Sequence, residues 1–203
     1  EPAPGLIDRY LVACADAEIP ALLVLNKSDL LKENDPILDL LKEYKDLGYE
    51  VMQTQSDGDL TELSARLNEE TVAFVGQSGV GKSTLINAIV PDAAQKTNVI
   101  SENSALGQHT TTSTRLISFG DGAALIDSPG IREFGLWHLT LDKVQSGFPE
   151  IENLLGHCQF RNCTHKHEKQ CALRQAADSG EILPRRLDSY LRLIDEITEA
   201  QQK

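Results

Sequence analysis

Two short motifs occur in this chain in an unusual order. The tetrapeptide Asn26-Lys27-Ser28-Asp29 stands about fifty residues before the glycine-rich stretch at residues 76–83. Proteins that read guanine with the first motif and bind phosphate with the second usually carry them the other way round. A binding site needs its motifs only in space, so the reversed order predicts a circular permutation of one α/β nucleotide-binding fold.

The glycine-rich stretch predicts a phosphate-binding loop. Its glycines let the backbone wrap around phosphate oxygens, so that consecutive N–H groups and a helix N-terminus face the negative charge. Lys82 is expected to reach the β- and γ-phosphates, and the Ser83 hydroxyl to ligate Mg²⁺. An ordinary glycine turn would need neither the strand predicted at 71–75 nor the helix predicted at 82–89. The predicted phosphate-binding residues are Gly76, Gln77, Ser78, Gly79, Val80, Gly81, Lys82, Ser83 and Thr84.

The tetrapeptide follows a short apolar strand, as a loop that reads a base should. The Asp29 carboxylate can accept hydrogen bonds from the N1–H and exocyclic amine of guanine, while adenine would leave it unpaired. Lys27 is expected along the ring, and Asn26 is expected to tie this loop to the phosphate loop. Such tetrapeptides also occur in surface loops, so the glycine loop is what gives this one weight. Thr54 and Gln55, after the next strand, are predicted to support the base.

Two further segments are predicted to sense the γ-phosphate. Asp127 ends a strand where it can hold a water of the Mg²⁺ shell, and the Gly130 N–H can contact the phosphate, although a plain Pro-Gly turn is the alternative. Ile131 stands where many GTPases have the glutamine that orients the attacking water. His109 could take that role, unless it is simply an exposed loop histidine. Thr111 or Thr112 is expected to close on Mg²⁺, and together with Lys82 and His109 they are the predicted catalytic residues.

Three cysteines and a histidine form a second candidate site. Cys158, Cys163, His165 and Cys171 supply the four ligands of a closed tetrahedral zinc site, which holds a fold rather than catalyses. In a reducing compartment such a cluster indicates metal ligation rather than disulfides. Two neighbouring histidines, at 157 and 167, are rival ligands, and unrelated free thiols are the remaining alternative.

Composition narrows the classes of partner. The 203 residues carry a formal net charge of −12, which argues against broad binding to DNA or RNA through phosphate contacts. No apolar run is long enough to span a bilayer and no signal peptide is visible, so a cytoplasmic protein without a membrane partner is expected. We also expect a monomer. Any RNA contact must therefore be local, through a few basic residues. The alternative is that these residues are ordinary solvated surface charges. Those candidates are Lys166, His167, Lys169, Arg185 and Arg186.

Apolar spacing predicts alternating strands and helices, typical of an α/β layered fold with a mostly parallel sheet and helices on both faces. Helices are predicted at 6–17, 35–47, 60–70 and 82–89, and strands at 21–25, 50–54, 71–75, 115–119 and 123–126. The first helix places Leu6, Ile7, Tyr10, Leu11 and Cys14 on one face, so Cys14 is expected in the core. An apolar stripe predicts a C-terminal helix that packs on the segment carrying the predicted zinc ligands, residues 158–171, called the metal segment below. The stripe consists of Leu187, Tyr190, Leu191, Ile194 and Ile197.

These residues together resemble the RsgA family, the bacterial circularly permuted GTPases of small-ribosomal-subunit assembly. The resemblance rests on the segments 8–11, 26–29, 76–83, 107–112 and 127–137 and on the four zinc ligands. It implies a GTPase domain at 1–136 and a mainly helical zinc domain at 137–203. It also implies slow GTP hydrolysis to GDP and phosphate, stimulated by the small ribosomal subunit and acting late in that subunit's maturation through contacts with its rRNA.

The family has an N-terminal OB-fold domain that this sequence does not contain, and the first strand of the GTPase sheet also has no counterpart. We therefore expect the sequence to be a fragment. Two other classes stay open: a P-loop ATPase or kinase, which Asp29 disfavours, and a noncatalytic zinc-dependent RNA- or ribosome-binding module with a nucleotide-sensing role. Mg²⁺-dependent GTP turnover that Lys82→Ala abolishes would separate both from a GTPase.

Overall fold

The computed structural model describes residues 2–55, 58–90, 115–119, 122–127, 136 and 138–201. The chain divides into two compact units. The central unit comprises residues 22–133, and the terminal unit combines residues 1–21 with residues 134–203. Packing thus groups the first helix with the C-terminal segment, while the domain boundary expected after residue 136 stays a prediction.

The central unit contains parallel and mixed β-structure. Its described strands are β1 (Leu22–Asn26), β2 (Glu50–Thr54), β3 (Thr71–Ala73), β4 (Arg115–Phe119) and β5 (Ala123–Asp127). The strands β1 and β2 pair in parallel, while β5 lies between a parallel β3 and an antiparallel β4. Two of these three pairings are parallel, which confirms the predicted mostly parallel α/β architecture.

Three α-helices are described in the central unit, each after a strand. They are α2 (Pro36–Asp46), α3 (Thr61–Leu67) and α4 (Lys82–Ile89). The start of α2 agrees with its sequence signal, because Asp35 accepts a hydrogen bond from the Ile37 N–H at 3.1 Å and Pro36 occupies the first turn. The strand β3 is two residues shorter than predicted, since regular pairing ends before the glycine loop begins.

Helices α3 and α4 carry the apolar core of the central unit. Leu63, Leu67 and Leu85 are buried together, and residues from β1, β2 and β3 pack against them. A second cluster joins Ile117 and Leu125 to the end of α4. The helix that begins at the glycine loop is therefore fixed on its inner face, and this fixes the position of the loop as well.

The terminal unit is helical. Its described helices are α1 (Pro4–Asp16), α5 (Leu141–Gln145), α6 (Pro149–Glu152), α7 (Ala172–Ser179) and α8 (Pro184–Gln201). Their core is almost inaccessible to solvent at Val12, Leu136, Val144, Phe148, Ile151, Leu173, Ile182 and Ile197. Cys171 is buried in the same core and Cys158 and Cys163 pack against it, so the C-terminal helix shares a core with the metal segment, as predicted. Among the described residues, no helix is both long and apolar enough to cross a membrane.

A buried arginine holds this unit together. Arg186 is fully buried and donates to Asp8 at 2.8 Å and to Glu150 at 2.7 Å. Its guanidinium carbon also lies 4.2 Å from the centroid of the Phe148 ring, and Asp8 is itself fully buried. The two carboxylates compensate the desolvation of the guanidinium and keep it protonated. The prediction of Arg186 as a candidate RNA contact was wrong, because its side chain is not exposed to solvent.

The inward face of α1 also differs from the prediction. Asp8, Leu11 and Val12 are its buried residues, whereas Cys14 is only half-buried. Partial burial raises the pKa of the Cys14 thiol. The buried face of α1 is rotated from the predicted one because Asp8 pairs with the buried Arg186. The spacing of hydrophobic residues cannot reveal such a polar pair.

Candidate nucleotide and metal sites

The glycine loop lies between β3 and α4 and uses a backbone that favours glycine. Gly79 and Gly81 have φ of +80° and +94°, and α4 begins immediately afterwards at Lys82. The Lys82 ammonium donates to the carbonyl oxygens of Gly76 at 2.6 Å and Gln77 at 2.7 Å. Its charge therefore lies at the centre of the loop, where a phosphate group would be bound, with Ser83 and Thr84 exposed in the first turn of α4.

The predicted guanine motif lies directly against this loop. Asn26 donates from Nδ2 to the Val80 carbonyl at 3.2 Å, and Lys27 donates from Nζ to the Gly79 carbonyl at 2.9 Å. Residues about fifty positions apart in the sequence thus form one junction. Lys27 adopts the left-handed conformation, with φ of 64°, and starts the short 3₁₀ turn Ser28–Leu30 that presents an exposed Asp29.

The second β-strand supports the same junction. Asn26 and Thr54 are paired in the β1–β2 register, and the buried Thr54 hydroxyl donates to Asn26 Oδ1 at 3.2 Å. Asn26 is thereby held at both ends of its amide. Gln55 follows as an exposed residue whose carbonyl accepts from the Gly58 N–H at 3.2 Å.

Gly81 makes the closest approach in the junction. A Cβ placed on it would lie 2.4 Å from Asn26 Nδ2, far inside contact distance. This requirement for glycine could not be read from the motif, since it depends on where β1 lies. A side chain at this position would therefore displace the Asn26 amide from the junction.

Several predicted residues cannot be placed. His109, Thr111, Thr112 and Gly130 lie outside the described residues. Asp127 is described only as the last residue of β5, opposite Arg115 of β4. Their predicted roles stay predictions.

The four predicted zinc ligands converge. One donor atom from each of Cys158, Cys163, His165 and Cys171 lies within 4.8 Å of all the others. Cys158 Sγ is 3.9 Å from Cys171 Sγ, and His165 Nδ1 is 3.5 and 3.3 Å from these two sulfurs. Tetrahedral zinc with Zn–S bonds of about 2.3 Å requires sulfurs about 3.8 Å apart, so the donors fit this ion.

The surroundings of the cluster suit a bound cation. Burial lowers the pKa of His165, which favours the neutral imidazole that a metal needs. Burial raises the pKa of the Cys163 thiol to about 12, with added effects from Cys158 and Cys171, so Cys163 would need a bound cation to become a thiolate at neutral pH. The Ala172 N–H donates to Cys158 Sγ at 3.3 Å, a contact that would help to orient this sulfur as a metal ligand.

Comparisons with known proteins identify the family of the chain. The family model RsgA GTPase matches residues 1–137, more than half of the chain. A protein of Haemophilus influenzae (strain PittGG), "Small ribosomal subunit biogenesis GTPase RsgA", is 50% identical over 203 residues, covering 98% of this chain and 59% of its own length. The protein of the same name from Marinobacter nauticus is 46% identical over 209 residues, covering 100% of this chain and 60% of its own.

Two solved structures are similar across nearly the whole chain. YjeQ from Thermotoga maritima superposes with a TM-score of 0.75 at 29% identity, covering 98% of this chain and 67% of its own. YloQ, described as a circularly permuted GTPase, superposes with a TM-score of 0.74 at 30% identity, covering 97% and 63%. The chain spans about three-fifths of the length of the curated relatives. From the family match and these relatives, the chain belongs to the RsgA GTPase family.

Proposed function

We propose that this chain is the GTP-binding and metal-binding part of a GTPase that acts in late maturation of the small ribosomal subunit. The observation that carries the proposal is the junction in which Asn26 and Lys27 contact the carbonyl groups of the phosphate-binding loop. It joins a guanine-reading loop to a phosphate-binding loop, and the family relatives bear names with this function.

Selectivity for guanine is assigned to Asp29. Its carboxylate is exposed beside the junction, where it can accept from the N1–H and the exocyclic amine of a guanine base. An asparagine side chain at this position would turn an NH₂ donor toward one of these donors. Asp29→Asn is therefore expected to weaken GDP binding strongly and to favour xanthosine diphosphate. Titrations with fluorescent analogues of the two diphosphates measure both changes, and an unchanged preference would remove Asp29 from this role.

Hydrolysis is assigned to groups around the γ-phosphate. Lys82 neutralises the transferring phosphoryl group, while Ser83 and Thr111 or Thr112 hold Mg²⁺, and Asp127 and Gly130 respond to the γ-phosphate. Ile131 cannot orient water, so His109 takes this task and unstimulated turnover is slow. His109→Ala should then lower stimulated turnover without changing GDP affinity, which stopped-flow binding and phosphate release measure separately.

The partner is proposed to be the small ribosomal subunit. Steady-state hydrolysis with and without purified subunits tests this, with ATP and Lys82→Ala as controls. Stimulation confined to GTP supports a ribosome-activated GTPase. Subunit binding without any GTP turnover would instead support the noncatalytic ribosome-binding module.

The metal is proposed to be a single structural zinc ion held by the three cysteines and His165. All four protein ligands occupy the coordination sphere, so no position is open for a substrate. The ion would stabilise a segment between α6 and α7 in which the described residues form no regular helix or strand.

The metal segment also offers the best local surface for RNA. Phe160 is 50% exposed and is followed by the exposed Arg161, and the Gln159 N–H donates to the carbonyl of Gln170, the residue after the exposed Lys169. An exposed ring among cations can stack on an unpaired base in a chain that is otherwise acidic. Lys166, by contrast, pairs with Asp195 at 2.5 Å.

Fluorescence anisotropy with a labelled single-stranded RNA tests this surface. Phe160→Ala should weaken binding several-fold and Phe160→Tyr should preserve it, because stacking needs only an aromatic face. Leu141→Ala is the matched control, since Leu141 is also an exposed apolar residue of the terminal unit. Equal losses in the two alanine variants would remove Phe160 from RNA binding. We also propose that the protein is a cytoplasmic monomer that cycles between GTP and GDP.

A further inference from the structure

The loop that presents His165 is closed by a carboxylate that is not a metal ligand. Glu168 Oε1 accepts from the Thr164 N–H at 2.8 Å and from the Thr164 hydroxyl at 2.6 Å. Glu168 Oε2 accepts from the His167 N–H at 3.2 Å. The two carboxylate oxygens therefore clamp the backbone on both sides of His165.

His165 needs such support because its backbone is strained. It has φ of 63°, in the left-handed region that residues with a side chain rarely adopt. This conformation turns Nδ1 toward the sulfurs of Cys158 and Cys171. Without the clamp the loop would relax toward an ordinary backbone, and the imidazole would leave the metal site.

Other contacts reach the same loop at single points, including a hydrogen bond between the His165 backbone and Cys163. Arg174 donates to the Lys166 carbonyl, and Lys166 pairs with Asp195 at 2.5 Å. These contacts fix residue 166. Glu168 bonds to both flanks of the histidine, and its hydrogen bonds lower the pKa of its carboxyl, so it is ionised at neutral pH.

We propose that Glu168 is a positioning residue of the metal site, which holds His165 in its coordinating conformation by accepting the three hydrogen bonds from Thr164 and His167. Removing a group that orients a ligand typically lowers metal affinity by about 10- to 100-fold. This inference rests on the zinc site proposed above. It goes beyond that site because it assigns a role to a residue outside the ligand set.

The experiment measures zinc affinity of the full 203-residue chain by competition with a chromophoric chelator. Glu168→Ala should bind zinc about 10- to 100-fold more weakly. Glu168→Gln should lie between this variant and the unsubstituted chain, since its amide oxygen can still accept both Thr164 bonds but its NH₂ cannot accept from His167. The matched control is Glu181→Ala, an exposed glutamate of the same unit.

A second readout separates positioning from general stability. Cobalt in a tetrahedral site with three sulfurs and one nitrogen gives strong visible bands, which should weaken and shift in Glu168→Ala and stay unchanged in Glu181→Ala. If Glu168→Ala does not fold, the comparison of Glu168→Gln with the unsubstituted chain decides. Zinc affinity within about twofold and an identical cobalt spectrum would overturn the role of Glu168, because ligand-orienting groups act more strongly than this. Absence of zinc binding by the unsubstituted chain would instead refute the zinc site.

Discussion

Replacing Gly81 by alanine tests whether the guanine motif and the phosphate-binding loop form one rigid junction. The new Cβ would lie 2.4 Å from Asn26 Nδ2, about 1 Å inside an ordinary contact. Asn26 would have to move and lose its hydrogen bond to the Val80 carbonyl, worth about 1 kcal/mol. The positive φ of Gly81 adds about 1–2 kcal/mol of backbone strain for any residue with a Cβ.

The total, about 2–3 kcal/mol, corresponds to a factor of about 30 to 140 in an equilibrium constant. It is shared between two measurable quantities. If the altered loop keeps its native conformation, the free energy of unfolding falls. If the loop relaxes to another conformation, GDP binding must restore the native one, and the affinity for GDP falls. Urea denaturation and titration with a fluorescent GDP, done on the same samples, give both parts.

The control for strain alone is Gly48→Ala, because Gly48 has φ of +92° and nothing within 4 Å of its Cβ position. That variant should lose about 1–2 kcal/mol of stability and no GDP affinity. A double-mutant cycle with Asn26→Ala isolates the clash, since Gly81→Ala should cost less once the Asn26 amide is gone. An equal effect of Gly81→Ala in both backgrounds would refute the rigid junction.

Three further expectations concern the terminal unit. Arg186→Met leaves the buried Asp8 with the longer ion pair to Arg185, at 3.8 Å, and should lower the free energy of unfolding by about 3–5 kcal/mol, with part recovered by adding Asp8→Asn; a loss below about 1 kcal/mol in urea denaturation would contradict the buried ion pair. Arg9 lowers the pKa of Glu196, so this exposed pair stabilises above the unfolded-state pKa of about 4.3 and is lost as pH falls through the lower folded-state value. Glu196→Gln should therefore cost at most about 1 kcal/mol near neutral pH and nothing in acid, and a difference that persists in acid would argue against the pair. Cys163→Ser should lower bound zinc by elemental analysis and lower the melting temperature, while Cys14→Ser keeps its zinc, and full zinc content in Cys163→Ser would exclude that ligand.

Features that depend on neighbouring residues were predictable from the sequence. The start of α2 follows from Asp35 and Pro36, because capping is decided within one turn. The metal cluster follows from four donors within fourteen residues, and the strands β1 and β2 from short apolar runs beside polar loops.

Features that depend on distant partners were not predictable. Hydrophobic spacing in α1 cannot place Asp8 inside, because that position depends on Arg186 in another helix. The space beside Gly81 is occupied by the Asn26 side chain, because β1 packs next to the phosphate-binding loop. Arg186 looked like a surface charge for the same reason, since a sequence shows a charge but not its compensation.

The buried pair of Asp8 and Arg186 also constrains how this chain can fold during synthesis. The two residues are 178 positions apart, with the whole central unit between them. At about 5–20 residues per second, a ribosome needs on the order of 10 to 35 s to reach Arg186 after Asp8. During that interval α1 has a carboxylate without its buried cation, and Val12 lacks part of the apolar cluster that buries it. The central unit can therefore be synthesised completely before α8, which carries Arg186, is available to α1. Until then α1 is accessible to chaperones.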